Sequence, residues 1–232
     1  MKNFWDRNAK IYDRFMRSDA AAYDEMYALI RPTVRGKNVL ELATGTGAIA
    51  RHIADSASHV EATDASPDMI AQAKHVGECT GVNFCVQDMF HLPYGDGSFD
   101  VVIVANALHI VPEPEKALIE IGRVLKPGGV LIAPTFTHAG NSPQGKVRAF
   151  FMKLVGLPVH SEWSTDEYLA FLRKNGWNVR MSKVLNASFP LTYTECVKEK
   201  AEFIFYIKAC RLKQGNGTQG RNPRRISADR KQ

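Results

Sequence analysis

Apolar positions recur along this chain with two periods, and the period switches several times. Phe4, Asn8, Ile11, Tyr12 and Phe15 follow helical spacing, as do Tyr23, Met26, Tyr27 and Ile30. The first thirty residues therefore read as helical. Arg31-Pro32 is expected to end the run, because the residue before a proline disfavours the helical region. Residues 38–43 (Asn-Val-Leu-Glu-Leu-Ala) read as a short strand broken by Gly45 and Gly47. A short helix follows, with Ile49 and Ile53 four apart, and then a second strand over 59–64. Ser66-Pro67 supplies a capping hydroxyl and a first-turn proline for a helix to about Gly77.

The alternation continues. Residues 82–88 form a third strand, and 93–98 a turn-rich loop. Residues 99–105 are apolar but for Asp100 near the start, as expected of a strand covered on both faces. A helix over 115–126 carries Ala117, Leu118, Ile121, Val124 and Leu125 on one stripe, and Pro127-Gly128-Gly129 is expected to stop it. Residues 130–136 are a fifth strand. Residues 137–165 form a long connection with an amphipathic segment at 146–155. A helix opens at Thr165-Asp166-Glu167 and closes at Gly176. Residues 177–185 and 201–212 are two closing strand candidates, the second apolar on both faces and so expected inside the sheet. With no helix between them, at least one antiparallel pairing is expected. The pattern predicts an α/β fold: a Rossmann-like, doubly wound, mostly parallel seven-stranded sheet with a C-terminal antiparallel strand and helices on both faces.

Composition changes this picture little. The 232 residues are 45% hydrophobic and 23% charged, ordinary for a globular chain. No apolar stretch approaches a membrane span, and the N-terminus lacks the apolar core of a signal peptide, so a cytoplasmic protein is expected. The net charge of +6 is unevenly placed. Lys213, Arg221, Arg224, Arg225, Arg230 and Lys231 against Asp229 put +5 in residues 213–232. That segment has only Ile226 and Ala228 as apolar residues, and it reads as a solvated, disordered basic tail. The body is nearly neutral, which argues against a nucleic-acid partner. Cys79, Cys85, Cys196 and Cys210 lack metal-ligand spacing and a His cluster, so no metal site is expected.

Candidate chemistry collects at the strand ends, where doubly wound sheets bind ligands. Glu41-Leu42-Ala43-Thr44-Gly45-Thr46-Gly47 leads from the first strand into a helix N-terminus. Gly45 to Ala50 also fits the dinucleotide fingerprint G-x-G-x-x-A, so an NAD(P)-dependent oxidoreductase is a rival reading. Strand two ends in Asp64, a carboxylate suited to a ribose diol. Strand three ends in Asp88-Met89, suited to an adenine amine and face. Strand four ends in Asn106, with His109 beyond it.

These motifs together resemble the class I S-adenosylmethionine-dependent methyltransferases. The resemblance is nearest to the small-molecule branch that includes the ubiquinone and menaquinone biosynthesis C-methyltransferases. It rests on 41–47, on 60–66 with Met69, on 86–89 with Leu92-Pro93-Tyr94, on 99–109, and on Arg123-Val124-Leu125-Lys126-Pro127-Gly128-Gly129. It implies S-adenosylmethionine as cofactor and a small methyl acceptor as partner. Ala43, Gly45 and Gly47 would pass the methionyl part, with Glu41 fixing that loop or the amino group. Asp64, with Ala65 beside it, would hold the ribose, and Met69 would pack near the adenine. Asp88 and Met89 would bind the adenine, Asn106 would face the methionyl end, and Tyr12 would close over the cofactor. Ala43 departs from the glycine common there, and a methyl group is expected to cost little.

The resemblance also implies an N-terminal helical lid (1–36) and a methyltransferase domain (37–212) with a variable substrate region (137–165); no family motif accounts for the basic tail (213–232). Phe136, Phe150, Phe151, Met152, Leu154 and Trp163 suggest an apolar or aromatic acceptor. His109 and His138 are the leading candidates for a base, followed by His160, Tyr193 and Tyr94. A non-catalytic cofactor-binding module is the remaining alternative.

Overall fold

The computed structural model describes residues 19–137 and 160–199. Five helices are described: α1 (Ala20–Val34), α2 (Ala48–Ile53), α3 (Pro67–His75), α4 (Pro114–Val124) and α5 (Thr165–Lys174). The strands are β1 (Asn38–Leu42), β2 (His59–Asp64), β3 (Val82–Val86), β4 (Phe99–Val104), β5 (Leu125–Ile132), β6 (Thr135–Phe136), β7 (Trp177–Leu185) and β8 (Leu191–Lys198). Tyr12, His138, the segment 146–155 and the strand candidate 201–212 lie outside the described residues.

The sheet runs β3-β2-β1-β4-β5-β8, with β7 also on β8. β1 to β5 are parallel to their neighbours, and β8 is antiparallel to β5, β6 and β7. Eight strands occupy seven positions. β5 pairs Val130 with Val197, and β6 pairs Thr135 with Thr192, in one unbroken register along the same edge of β8. Pro134 interrupts that edge because it has no N–H to give the ladder.

β1 and β4 are central and buried on both faces. Val39, Val101 and Ile103 join a layer with Tyr23, Met26, Ile30, Ile53 and Phe84. Leu40, Leu42, Val102 and Val104 join the opposite layer with Leu118, Ile121, Tyr168 and Trp177. Each such aliphatic side chain contributes roughly 1.5–3 kcal/mol on burial. That two-sided demand explains why 101–104 is apolar throughout.

Local chemistry sets the helix ends. Ser66 Oγ accepts from the Met69 amide at 3.2 Å, with Pro67 in the first turn, as the sequence indicates. Ser164 and Glu167 form a reciprocal capping box at the start of α5. Arg51 closes the far end of α3, donating to Ala73 O and Gly77 O at 2.6 Å each. Arg123 donates to Leu92 O and Tyr94 O and pairs with Asp96 and Glu120, which pins the loop between β3 and β4. Lys126 anchors its turn on Asp100 at 2.9 Å.

Several elements differ from expectation. α1 continues through Pro32 to Val34, so proline removes one hydrogen bond in the last turn without ending the helix. Its described part is not a separate lid, since Tyr23, Met26, Tyr27, Ile30 and Val34 are buried in the main core. α4 ends at Val124, and Leu125 to Gly129 belong to a strand that bulges against Phe99 and Val101. The partner of β7 is Leu191–Lys198, a segment the apolar pattern does not mark. Buried threonines explain this: Thr192 and Thr194 fill the interior with their hydroxyls bonded to Thr137, Thr165 and Ala133 O. The last described strand, β8, ends at Lys198.

Gly47 begins α2 at φ +83°, and an added Cβ would lie 2.6 Å from the Phe84 ring. Gly47→Ala should destabilise the protein by about 2–4 kcal/mol, combining left-handed strain with overpacking. Urea unfolding checks this, and an unchanged midpoint would refute it.

Candidate cofactor-binding cleft

The strand order reverses between β1 and β4, and a cleft of about 160 Å³ opens at the carboxyl ends of the strands. β1 delivers Ala43 to it, β2 delivers Thr63, Asp64 and Ala65, β3 leads to Gln87, Asp88 and Met89, and β4 leads to Ala105, Asn106 and Ala107. Met69, Phe90, Ile110 and Val111 complete the lining.

The turn after β1 is tightly specified. Ala43, Gly45 and Gly47 all have positive φ (53°, 57° and 83°). Asp64 holds this turn against the next one: its Oδ2 accepts from Gly45 N at 2.9 Å and its Oδ1 from Ser66 N at 2.9 Å. Asp88, exposed at the other end of the cleft, accepts from Phe90 N at 2.9 Å and meets His91 Nδ1 at 3.2 Å.

Among the described residues, Ala43 and Asn106 are the only non-glycine residues with positive φ, and both line the cleft. Strain concentrated at one place is the signature of a functional site. It also corrects the expectation for Ala43. The methyl group fits, but the backbone is left-handed, and that costs roughly 1 kcal/mol relative to glycine.

Two buried side-chain oxygens at these strand ends lack a partner: Glu41 Oε2 and Asn106 Oδ1. Each carries a desolvation penalty of roughly 1–3 kcal/mol. Burial pushes the Glu41 carboxyl up to about 8, aided by the nearby Asp64 charge and opposed by Thr44 and the Ala50 backbone. At the cleft, the Asn106 oxygen and the Asp64 and Asp88 carboxylates suit a ligand that brings N–H or O–H donors. The sites of S-adenosylmethionine that need acceptors are its ammonium, its ribose diol and its adenine amine, so this donor-poor, acceptor-rich site fits that group.

The base candidates behave differently from the cofactor residues. His109 is buried, with Nδ1 2.8 Å from Thr135 Oγ1, and it sits beside the cleft residues Ile110 and Val111 without lining the cleft itself. His160 is exposed and donates its amide to His109 O. Tyr94 donates to Glu61 and Tyr193 to Glu195, and burial raises both phenols well above their usual range. Neither tyrosine lines the cleft. Sequence reasoning missed Gln87, Phe90, Ile110 and Val111. The apolar pair after His109, just before Pro112, was the available signal for the last two.

This sheet order, with a cleft at its reversal point, is the Rossmann-like fold of solved methyltransferases. Residues 40–133 match the family described as a methyltransferase domain. The chain is 39% identical over 110 residues to a demethylmenaquinone methyltransferase of Renibacterium salmoninarum, covering 47% of this chain and 46% of that protein. It is 34% identical over 152 residues to the ubiquinone/menaquinone biosynthesis C-methyltransferase UbiE of Ectopseudomonas mendocina, covering 61% and 58%. The chain thus spans about half the length of the relatives it matches. Its fold is that of a methyltransferase from Haloferax volcanii solved in complex with the Trm112 methyltransferase activator. That likeness has a TM-score of 0.71 at 21% identity and covers 86% of this chain and 100% of that one.

Two outcomes are expected. Ala43→Gly should raise stability by about 1 kcal/mol, or roughly 2–4 °C in thermal midpoint. A lower midpoint would mean that Ala43 is not left-handed in solution. Glu41 has a folded pKa raised from 4.5 to about 8, so the folded state holds its proton more tightly than the unfolded state. Its stabilising effect is complete below about pH 4.5 and is lost as pH rises through 8. Relative to Glu41→Gln, the wild type should lose stability between pH 5 and 8. Parallel midpoint curves would contradict this.

Proposed function

We propose that the chain transfers a methyl group from S-adenosylmethionine to a small, apolar or aromatic acceptor. One observation carries this reading: four neighbouring parallel strands bring Ala43, Asp64, Asp88 and Asn106 to a single cleft. The relatives named for demethylmenaquinone and ubiquinone/menaquinone biosynthesis support a quinone-like acceptor. The apolar lining from Phe90, Ile110 and Val111 supports it too.

The proposed roles follow from position. Gly45, Gly47 and Ala43 let the backbone approach the methionyl part, with Glu41 beneath this turn. Asp64, beside Ala65, accepts from the ribose hydroxyls. Asp88 accepts from the adenine amine, and Met69 and Met89 hold its faces. Asn106 serves the methionyl end; for Tyr12, outside the described residues, closure over the cofactor is proposed on the family resemblance alone. The cofactor supplies a sulfonium methyl that is already activated. The protein's contribution is then to align the acceptor in line with that methyl and to exclude water. A base is needed only for an acceptor that arrives protonated. His109 and His138 are the candidates, with His109 fixed in orientation by Thr135.

Residues 137–165 are proposed as the acceptor-facing region of a methyltransferase domain over 37–212, with 1–36 preceding it and the basic segment 213–232 as a solvated tail. No described helix is long and apolar enough to cross a membrane. We assign the protein to the cytoplasm.

Calorimetric titration with S-adenosylmethionine, S-adenosylhomocysteine and NADH tests the cofactor. Dissociation constants on the order of micromolar are expected for the first two, and no heat for NADH. Binding of NADH alone would overturn the reading in favour of an oxidoreductase. Label transfer from methyl-labelled cofactor to demethylmenaquinol then tests the acceptor. Binding without any transfer to a panel of quinols, phenols and amines would favour a non-catalytic module.

A further inference from the structure

The proposed function leaves open what holds Asn106 in place. Asn106 follows β4, lines the cleft and has φ +52°. Its backbone amide donates to Pro134 O at 2.8 Å, which ties it to the end of the β5–β6 edge. Its side-chain Nδ2 donates to Tyr23 Oη at 2.9 Å. Its Oδ1 is buried without a donor. Tyr23 itself is 3% exposed, sits on α1 in the main core, and does not line the cleft.

A carboxamide can present either of its two ends, and here the choice matters. With Nδ2 committed to the Tyr23 oxygen, the carbonyl oxygen is the end left for a ligand. An oxygen suits a positively charged ligand, whereas an amide N–H₂ in its place would repel one. One turn earlier on the same helix, Asp19 Oδ1 accepts from Ser188 N and Oγ at 2.7 Å each, which locks α1 to the β7–β8 turn. The Tyr23 hydroxyl is thus held by a helix anchored at two places.

We propose that Tyr23 is a positioning residue for the cofactor site, fixing the Asn106 carboxamide with its oxygen free for the cationic methionyl end. This rests on the cofactor reading above. It makes α1 part of the binding apparatus through a residue that never touches the ligand.

A double-mutant cycle tests it, using the full chain and S-adenosylhomocysteine as probe. Tyr23→Phe removes one oxygen and keeps the ring in the core. Asn106→Gly removes the carboxamide and relieves the left-handed backbone, so it should fold. Tyr23→Phe should weaken binding about ten-fold, the scale of one oriented hydrogen bond in a closed site. In the Asn106→Gly background the same change should have no effect. A purely structural role for Tyr23 would weaken binding equally in both backgrounds, and that result, or wild-type affinity for Tyr23→Phe, would overturn the proposal. Absence of binding by the wild type would instead overturn the cofactor reading and this inference with it.

Discussion

The structure turns on how the chain leaves β1. Within five residues the backbone is left-handed at Ala43, Gly45 and Gly47, and it then enters α2. Such a turn is costly on its own. It persists because Asp64, from the neighbouring strand, accepts the Gly45 amide, and because Gly47 lies hard against Phe84 where no Cβ could fit. The turn, the β2 end and the α3 start are one hydrogen-bonded unit through the two oxygens of Asp64. Disturbing any of the three alters the wall of the cleft.

Around this unit the protein tolerates features that a core optimised only for stability would remove. A non-glycine residue is left-handed at Ala43, a carboxylic acid is buried at Glu41, and the Asn106 side-chain oxygen goes without a donor. All three lie at or just beyond the carboxyl ends of β1 and β4. The rest of the sheet compensates with two apolar layers, capped helices and the Arg123 and Arg51 clamps on backbone carbonyls. A ligand carrying donors would relieve part of the local cost, which links binding to stability.

Much of the fold was legible in the sequence. The two-sided burial of β4 shows as the apolar run from Val101 to Val104, and the cap of α3 shows in Ser66-Pro67. The strand-end residues Asp64, Asp88 and Asn106 were legible because a doubly wound sheet has one place for ligands, and periodicity alone locates the strand ends. β8 was not legible, because its interior is filled by threonines paired with other threonines. That arrangement depends on Thr137 and Thr165, far away in the chain. The continuation of α1 past Pro32 was hidden for a related reason. Burial of Ile30 and Val34 in the main core outweighs one lost hydrogen bond.

By itself, then, the sequence determined the order of elements, the sheet class and the residues that arrive at the cleft, since these follow from period, glycine placement and chain order. Only the tertiary structure decided the state of those residues. Whether Ala43 is strained depends on the φ that the turn imposes. The high pKa of Glu41 depends on what covers it. That Asn106 is steered by Tyr23, and that His109 faces Thr135 rather than the cleft, depends on contacts across 83 and 26 residues of chain. Such properties belong to the surroundings of a side chain, and those surroundings exist only once the layers have packed.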